Sequence, residues 1–154
     1  MDRLLLLVPT TSYRIGDFLA AARRMDVEIA VGSDAADVLA DLGGGRTLKV
    51  DFKDPEGAIE AITDFASNHP LRAILGVDEE TGVIAAAAAE RLGLPHNSPN
   101  AVRAAGDKRR FRERLQGAGL PGPRFFTLPA GEDPAFTAAR ADYPCVLKPL
   151  SLSA

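Results

Sequence analysis

Two kinds of apolar pattern alternate along the first two thirds of the chain. "LLLLV" (4–8) is a continuous apolar run ended by Pro9, the pattern of a strand buried on both faces of a parallel sheet. After a polar turn, "TTSYR" (10–14), Phe18, Leu19, Ala22 and Met25 recur at helical spacing from Asp17 onward. "VEIAVGSD" (27–34) follows as a second strand, which completes one βαβ unit. The rhythm then repeats. A Gly-rich turn leads to a short strand around Leu48 to Phe52, and Ile59, Ile62, Phe65 and Ala66 mark a helix beginning near Pro55. "RAILGV" (72–77) supplies a fourth strand, and after Asp78 an Ala-rich helix carries Val83, Ile84, Ala87, Ala88 and Leu92 on one side. Gly93 stands where the left-handed residue that ends a helix is wanted.

Strands alternating with helices predict an α/β fold, a Rossmann-like doubly wound parallel sheet. Right-handed crossovers place the loop after each strand along one edge, and ligands of such sheets bind at that carboxyl edge. The rule singles out "TTSYR" after the first strand and "DEETG" (78–82) after the fourth. From Pro95 the pattern changes. "PHNSPN" (95–100) is a turn-rich connection, and the next helix, from Asp107, reads "KRRFRERL" with Phe111 and Leu115 as its clearly apolar residues. "GAGLPGP" (117–123) stops that helix, after which "RFFTL" (124–128) is predicted as a strand and "PAFTAARADY" (134–143) as a short helix. "PCVLKP" (144–149) is predicted as a further strand, with Cys145, Val146 and Leu147 buried. The expected division is a Rossmann-like domain over 1–106 and the start of a second domain over 107–154.

Composition narrows the function. The 154 residues, 46% hydrophobic and 25% charged, suffice for one full core with an appended element. A formal net charge of -3 gives no global field to hold a polyanion, so no nucleic-acid partner is expected, although "DKRRFRER" (107–114) is locally basic. The opening apolar run is too short for a secretion signal and follows Asp2, and no apolar stretch approaches the roughly 20 residues that span a bilayer. No membrane partner is expected. One cysteine excludes an internal disulfide framework, and the cytoplasm is the expected compartment. That cysteine and two distant histidines are too few for a zinc site. Arg outnumbers Lys fourteen to four, so each lysine stands out.

The local chemistry is sparse. No "GxGxxG" follows the first strand and no "GxxxxGK" with Ser or Thr occurs, which removes the dinucleotide and Walker-type fingerprints. "GGG" (43–45) reads as a flexible turn. In "DEETG" the carboxylates could gather a metal, but Asp78 as a helix cap with Glu79 and Glu80 in the first turn outweighs that reading. Tyr13 and Arg14 suit a substrate carboxylate or phosphate, Arg by its bidentate fork, and a plain surface turn weighs equally against it. Cys145 reads as a small buried apolar residue, and His69 and His96 as structural or solvated. Asp107 makes an N-cap that puts Lys108 at a helix start, where backbone N–H groups favour an anion.

The order of these pieces is more informative than any one of them. "LGLPHNSPNAVRAAGDKRRFRERLQGAGLPGPRF", followed some thirty residues later by "YPCVLKP", resembles the opening of an ATP-grasp domain, with a Rossmann-like preATP-grasp domain in front of it. The resemblance runs from about residue 70 to 149. It implies that Lys108, of a "DK" helix start, and Lys148, of a "P.V.KP" strand, contact the phosphates of ATP, and that "SLSA" (151–154) begins a phosphate-covering loop. It further implies a fragment, inactive alone, of a ligase that phosphorylates a small-molecule carboxylate and lets an amine or related nucleophile displace phosphate. ATP and Mg2+ would be the cofactors, the magnesium ligands lying downstream of Ala154. Such enzymes can present the loop after the first strand to the substrate side, which makes Tyr13 and Arg14 substrate-binding candidates. Biotin-dependent carboxylases, purine-pathway ligases and peptide-bond-forming ligases share this opening. The alternative from another class is a stand-alone Rossmann-like module that binds a nucleotide or small anion, and a nucleic-acid adaptor comes third. Without sheet partners, the segment from Arg124 exposes Phe125, Phe126, Val146 and Leu147, so a homodimer or a folding-back of that segment is expected.

Overall fold

The leading apolar run forms β1 (Arg3–Leu7) in a computed structural model that describes residues 3–35 and 46–151. The triple glycine 43–45 and residues 152–154 of "SLSA" lie outside the described residues. Contacts divide the chain into one unit over Met1–Arg103 and a second over Ala104–Ala154.

In the first unit β1 is followed by α1 (Ile15–Met25), β2 (Glu28–Ser33), β3 (Thr47–Lys49), α2 (Pro55–Asn68), β4 (Ala73–Gly76) and α3 (Glu79–Arg91). The four strands form one parallel sheet in the order β3-β2-β1-β4, the doubly wound α/β pattern that the alternation predicts. β1 pairs on both sides, Leu4 lying opposite Ile29 and Ala73, and Leu7 opposite Gly32 and Gly76. Because strand side chains alternate between faces, the leucine run divides. Leu5 and Leu7 join Ala30, Ile59, Ile62, Ile74 and Ile84 in one layer with α2 and α3. Leu6 and Val8 join Val31 and Val77 in the other, against Ile15 and Phe18 of α1. Fully burying one such side chain is worth about 1.5–3 kcal/mol. A continuous apolar run is thus what a strand covered on both faces requires.

Helix ends follow local chemistry. Asp54 caps α2 by accepting from the Gly57 N–H at 3.2 Å, with Pro55 at the first helical position. Asp26 ends α1 in the left-handed region, at φ 54°, and Gly93 does so just after α3, at φ 65°. Gly76 has a different constraint. A Cβ there would lie 2.4 Å from the Gly82 nitrogen and 2.5 Å from the Thr81 carbonyl carbon, so α3 can pack onto the end of β4 only over a glycine. A further helix, α4 (Pro99–Ala105), occupies part of the predicted turn-rich connection. It has no apolar stripe to announce it, and Ser98 followed by Pro99 is its only start signal.

The second unit contains α5 (Lys108–Gly117) and α6 (Pro134–Ala138), both near their expected positions. The two strands expected there do not form: residues 124–128 and 144–149 pair with no sheet. Phe125, Phe126, Val146 and Leu147 are 39%, 50%, 78% and 82% exposed, and Cys145 is exposed rather than buried. β-propensity alone does not make a strand, which needs a neighbour for its backbone groups and apolar surface to cover its side chains. Among the described residues of this unit only Ala104 is buried.

Two glycine substitutions test the packing. Gly76→Ala should lower unfolding stability by about 3 kcal/mol, since overpacked backbone has to move. Gly16→Ala, on an α1 position with nothing within 4 Å, should raise it by about 0.5 kcal/mol through helix propensity. Urea denaturation of the two variants reads both, and equal midpoints would contradict the close approach of α3 to β4.

Candidate functional site

Parallel strands send the loops after β1 and β2 out along the same edge, where one carboxylate links them. Asp34, directly after β2, accepts the Thr10 N–H at 2.9 Å on Oδ1 and the Thr10 hydroxyl at 3.1 Å on Oδ2. The hydroxyl of Ser33, a fully buried residue, donates to the same Oδ1 at 3.2 Å and accepts the Ala35 N–H at 3.4 Å. Burial pushes the Asp34 carboxyl upward, but the donors from Thr10 and Ser33 outweigh it and hold the group below its ordinary value of 3.8. Sequence reading includes Thr10 in the "TTSYR" turn and Ser33 and Asp34 in the second strand, and gives none of the three a role. The available signal is an acid standing immediately after a strand at the carboxyl edge.

Beyond Thr10 the loop closes on itself. The Ser12 N–H donates to the Pro9 carbonyl at 2.9 Å, the Arg14 N–H to the Ser12 hydroxyl at 3.4 Å, and the Asp17 N–H to the Arg14 carbonyl at 3.1 Å. Arg14 is therefore the N-cap of α1, which begins at Ile15, two residues before the position expected. Tyr13 is 87% exposed, and the Arg14 guanidinium carbon lies 5.9 Å from its ring centroid. Such an exposed cation–π pair is worth about 0.5–1 kcal/mol. An aromatic face and a cation thus stand together on this edge.

The loop after β4 is committed to helix capping. The Asp78 N–H donates to Thr81 Oγ1 at 3.2 Å, and that hydroxyl, on a fully buried residue, is within 3.2 Å of the Asp78 carbonyl oxygen. Glu79 and Glu80 occupy the first turn of α3. His69 caps the end of α2 with its ring 4.6 Å from that of Phe65. His96 Nδ1 lies 2.8 Å from the Leu94 carbonyl, and its Nε2 lies 3.7 Å from Glu90. His96 also lines a shallow cleft of about 490 Å³ beside β4 with Leu75, Gly82, Ala86, Asn97 and Val102. With two polar side chains in its lining, this cleft is a poor match to a charged ligand.

In the second unit, Asp107 caps α5 as expected, accepting the Arg110 N–H at 2.9 Å. Lys108 is the first helical residue, half-buried, and its backbone N–H donates to the Leu150 carbonyl at 3.0 Å. That bond brings the segment carrying the exposed Lys148 to the helix start. Arg109 pairs with Glu113 at 2.7 Å, and Arg110 lies 3.8 Å from Asp107, so part of the basic helix is neutralised along its own surface.

The ATP-grasp N-terminal domain model matches residues 19–96, half of the chain and most of the first unit. The chain belongs to the ATP-grasp N-terminal domain family. No curated protein sequence matches it at a significant level. Among solved structures, an L-amino acid ligase from Bacillus licheniformis superimposes with a TM-score of 0.70 at 22% identity, over 98% of this chain and 38% of that one. N5-carboxyaminoimidazole ribonucleotide synthetase from Thermus thermophilus gives 0.61 at 24% identity, over 92% and 37%. Phosphoribosylglycinamide synthetase from Anaerococcus prevotii gives 0.62 at 16% identity, over 93% and 35%. At these identities the likeness is one of fold, and this ATP-grasp N-terminal domain chain spans little more than a third of each relative's length. Among the described residues no helix is long and apolar enough to cross a membrane.

The low Asp34 value has a signed consequence. A carboxyl held below its unfolded value contributes stability that is present above pH 3.8 and is lost as pH falls through the folded value. Asp34→Asn should therefore lower the urea midpoint at neutral pH, and the gap to the unsubstituted chain should close as pH drops below 3.8. A gap that is constant with pH would contradict the charge-dependent bond.

Proposed function

We propose that this chain is the N-terminal part of an ATP-dependent carboxylate–amine ligase, with 1–106 as its Rossmann-like domain and 107–154 as the start of its ATP-grasp domain. The observation that carries the reading is the family match over residues 19–96. It is supported by the ligase and synthetase names of the three structural relatives. In the reaction, a substrate carboxylate oxygen attacks the terminal phosphorus of ATP, the bond to ADP breaks, and an acyl phosphate results. An amine then attacks the acyl carbon, the carbon–oxygen bond breaks with release of phosphate, and the amine loses its proton. This reading assigns no turnover to the 154 residues by themselves.

The side chains given roles are few. Lys108 and Lys148 supply positive charge to the ATP phosphates from a helix start and from the segment hydrogen-bonded to it, and catalysis of this type is largely positioning and charge neutralisation. Tyr13 and Arg14 face the carboxylate substrate. Among the described residues no three His, Cys, Asp or Glu side chains gather to hold a metal, so magnesium has no ligand set there and no step is assigned to it. A stand-alone binding module is the second reading, favoured by the self-sufficient core of the first unit.

The test is phosphate release from MgATP by the complete ligase, across a panel of free amino acids and other small carboxylates. Release that depends on one carboxylate supports the ligase, and none across the panel favours the binding module. Lys108→Ala and Lys148→Ala should each weaken MgATP binding about ten- to a hundredfold, from 1.5–3 kcal/mol per charge-assisted contact, and leave adenosine nearly unaffected. Arg110→Ala, on an exposed residue of the same helix, should change little. Equal losses from all three would reduce the helix to a basic surface. Arg14→Ala should raise KM for the carboxylate and leave MgATP binding unchanged.

A further inference from the structure

We propose that Asp34 is a positioning residue, which through Thr10 fixes the 9–14 loop so that Tyr13 and Arg14 stand as a preorganised anion-binding arm. The inference rests on the substrate-side reading of that loop and adds the device that sets its geometry.

Three observations carry it. Asp34 holds Thr10 twice, by backbone N–H and by hydroxyl, which fixes the direction of the chain as well as its position. The turns from Pro9 to Asp17 then leave few soft dihedrals between the held residue and Arg14, so an orientation set at Thr10 is passed along. Asp34 and Thr10 are both exposed, whereas β1 and β2 are joined by a parallel ladder with Leu5, Leu6, Leu7 and Val31 fully buried. The sheet does not need a surface hydrogen bond to stay together; the loop does, because little else of it is buried.

The position of the acid strengthens the case. In dinucleotide-binding doubly wound sheets, an acidic residue about 20 positions beyond the first glycine turn takes a ribose hydroxyl. Asp34 stands 24 residues past Thr10, and here the Thr10 hydroxyl supplies that donor from within the chain. With the Thr10 N–H and Ser33 hydroxyl also bound, the carboxylate serves the loop instead of a nucleotide sugar.

Two measurements test this. By hydrogen exchange on the 154-residue chain, Asp34→Ala and Thr10→Ala should speed exchange of the hydrogen-bonded loop amides of Thr10, Ser12 and Arg14 about tenfold while β1 amides stay protected. Thr10→Ser, which keeps the hydroxyl, should restore most of the protection, and Asp34→Asn, which keeps one oxygen acceptor but loses the charge and the second oxygen, should restore only part of it. In the complete ligase, Asp34→Ala should raise KM for the best carboxylate of the panel about three- to tenfold, with kcat and the KM for MgATP within about twofold, and Thr10→Ser should behave as unsubstituted. If Arg14→Ala raises that KM and Asp34→Ala does not, the positioning role is overturned and the substrate site stands. If neither does, the loop is not on the substrate side and both readings of it fail. Unchanged exchange in Asp34→Ala and Thr10→Ala would overturn the clasp itself.

Discussion

The first unit depends on burying β1 from both faces. Leu5 and Leu7 enter one layer and Leu6 and Val8 the other, all with 1% exposure or less. Two apolar faces leave a register problem, because a one-residue slip would exchange the layers of the leucine run, with Arg3 beside Glu28 at the start of the strand as its one polar anchor. Glycine resolves it. Leu7 lies opposite Gly32 on one side and Gly76 on the other, and a Cβ on Gly32 would come within 2.7 Å of Leu7 Cδ2. A slip would set Leu7 against Val31 or Ser33 instead. The fixed register aligns the carboxyl ends of β1, β2 and β4, and Thr10 meets Asp34 only because their strands end together.

How much of this was legible follows from the range of each interaction. The sheet, α2, α3 and the Asp78 and Asp107 caps were readable because each is written in a short window: an apolar run, a stripe at helical spacing, an acid before a helix. α4 left no such trace, since seven residues with one buried alanine carry no periodicity. The segments 124–128 and 144–149 had the composition of strands, yet whether such a sequence becomes a strand is decided by a neighbour and not by itself. The Thr10–Asp34 bond was invisible for the opposite reason. It joins residues 24 apart through the pairing of two strands, so no local pattern contains it.

Of the candidate residues, the fold brings Tyr13 and Arg14 into contact but leaves their ligand to chemistry. Among its described residues the first unit offers no phosphate-cradling glycine loop and commits its "DEETG" carboxylates to a helix start. Among the described residues, the loops after β1 and β2 present one cation, one aromatic face and one acid already engaged by three donors. Such a surface suits a small anion better than a nucleotide, which agrees with giving the phosphate work of the proposed ligase to lysines elsewhere.

Of those lysines, Lys108 begins a helix that has spent part of its own capacity for anions. The N–H of Lys108 is taken by the Leu150 carbonyl and that of Arg110 by the Asp107 carboxylate, which adds a negative charge where a phosphate would approach. Backbone donors and the dipole therefore contribute less here than at an open helix terminus. Recognition on the proposed reading has to come from side-chain ammonium groups, and these are separated by forty positions in sequence. The Leu150–Lys108 bond addresses that separation by joining the two segments through their backbones, two residues from one lysine and at the other. A ligand that needs both charges then meets segments already joined, and does not bear the full loop-closure entropy of bringing them together.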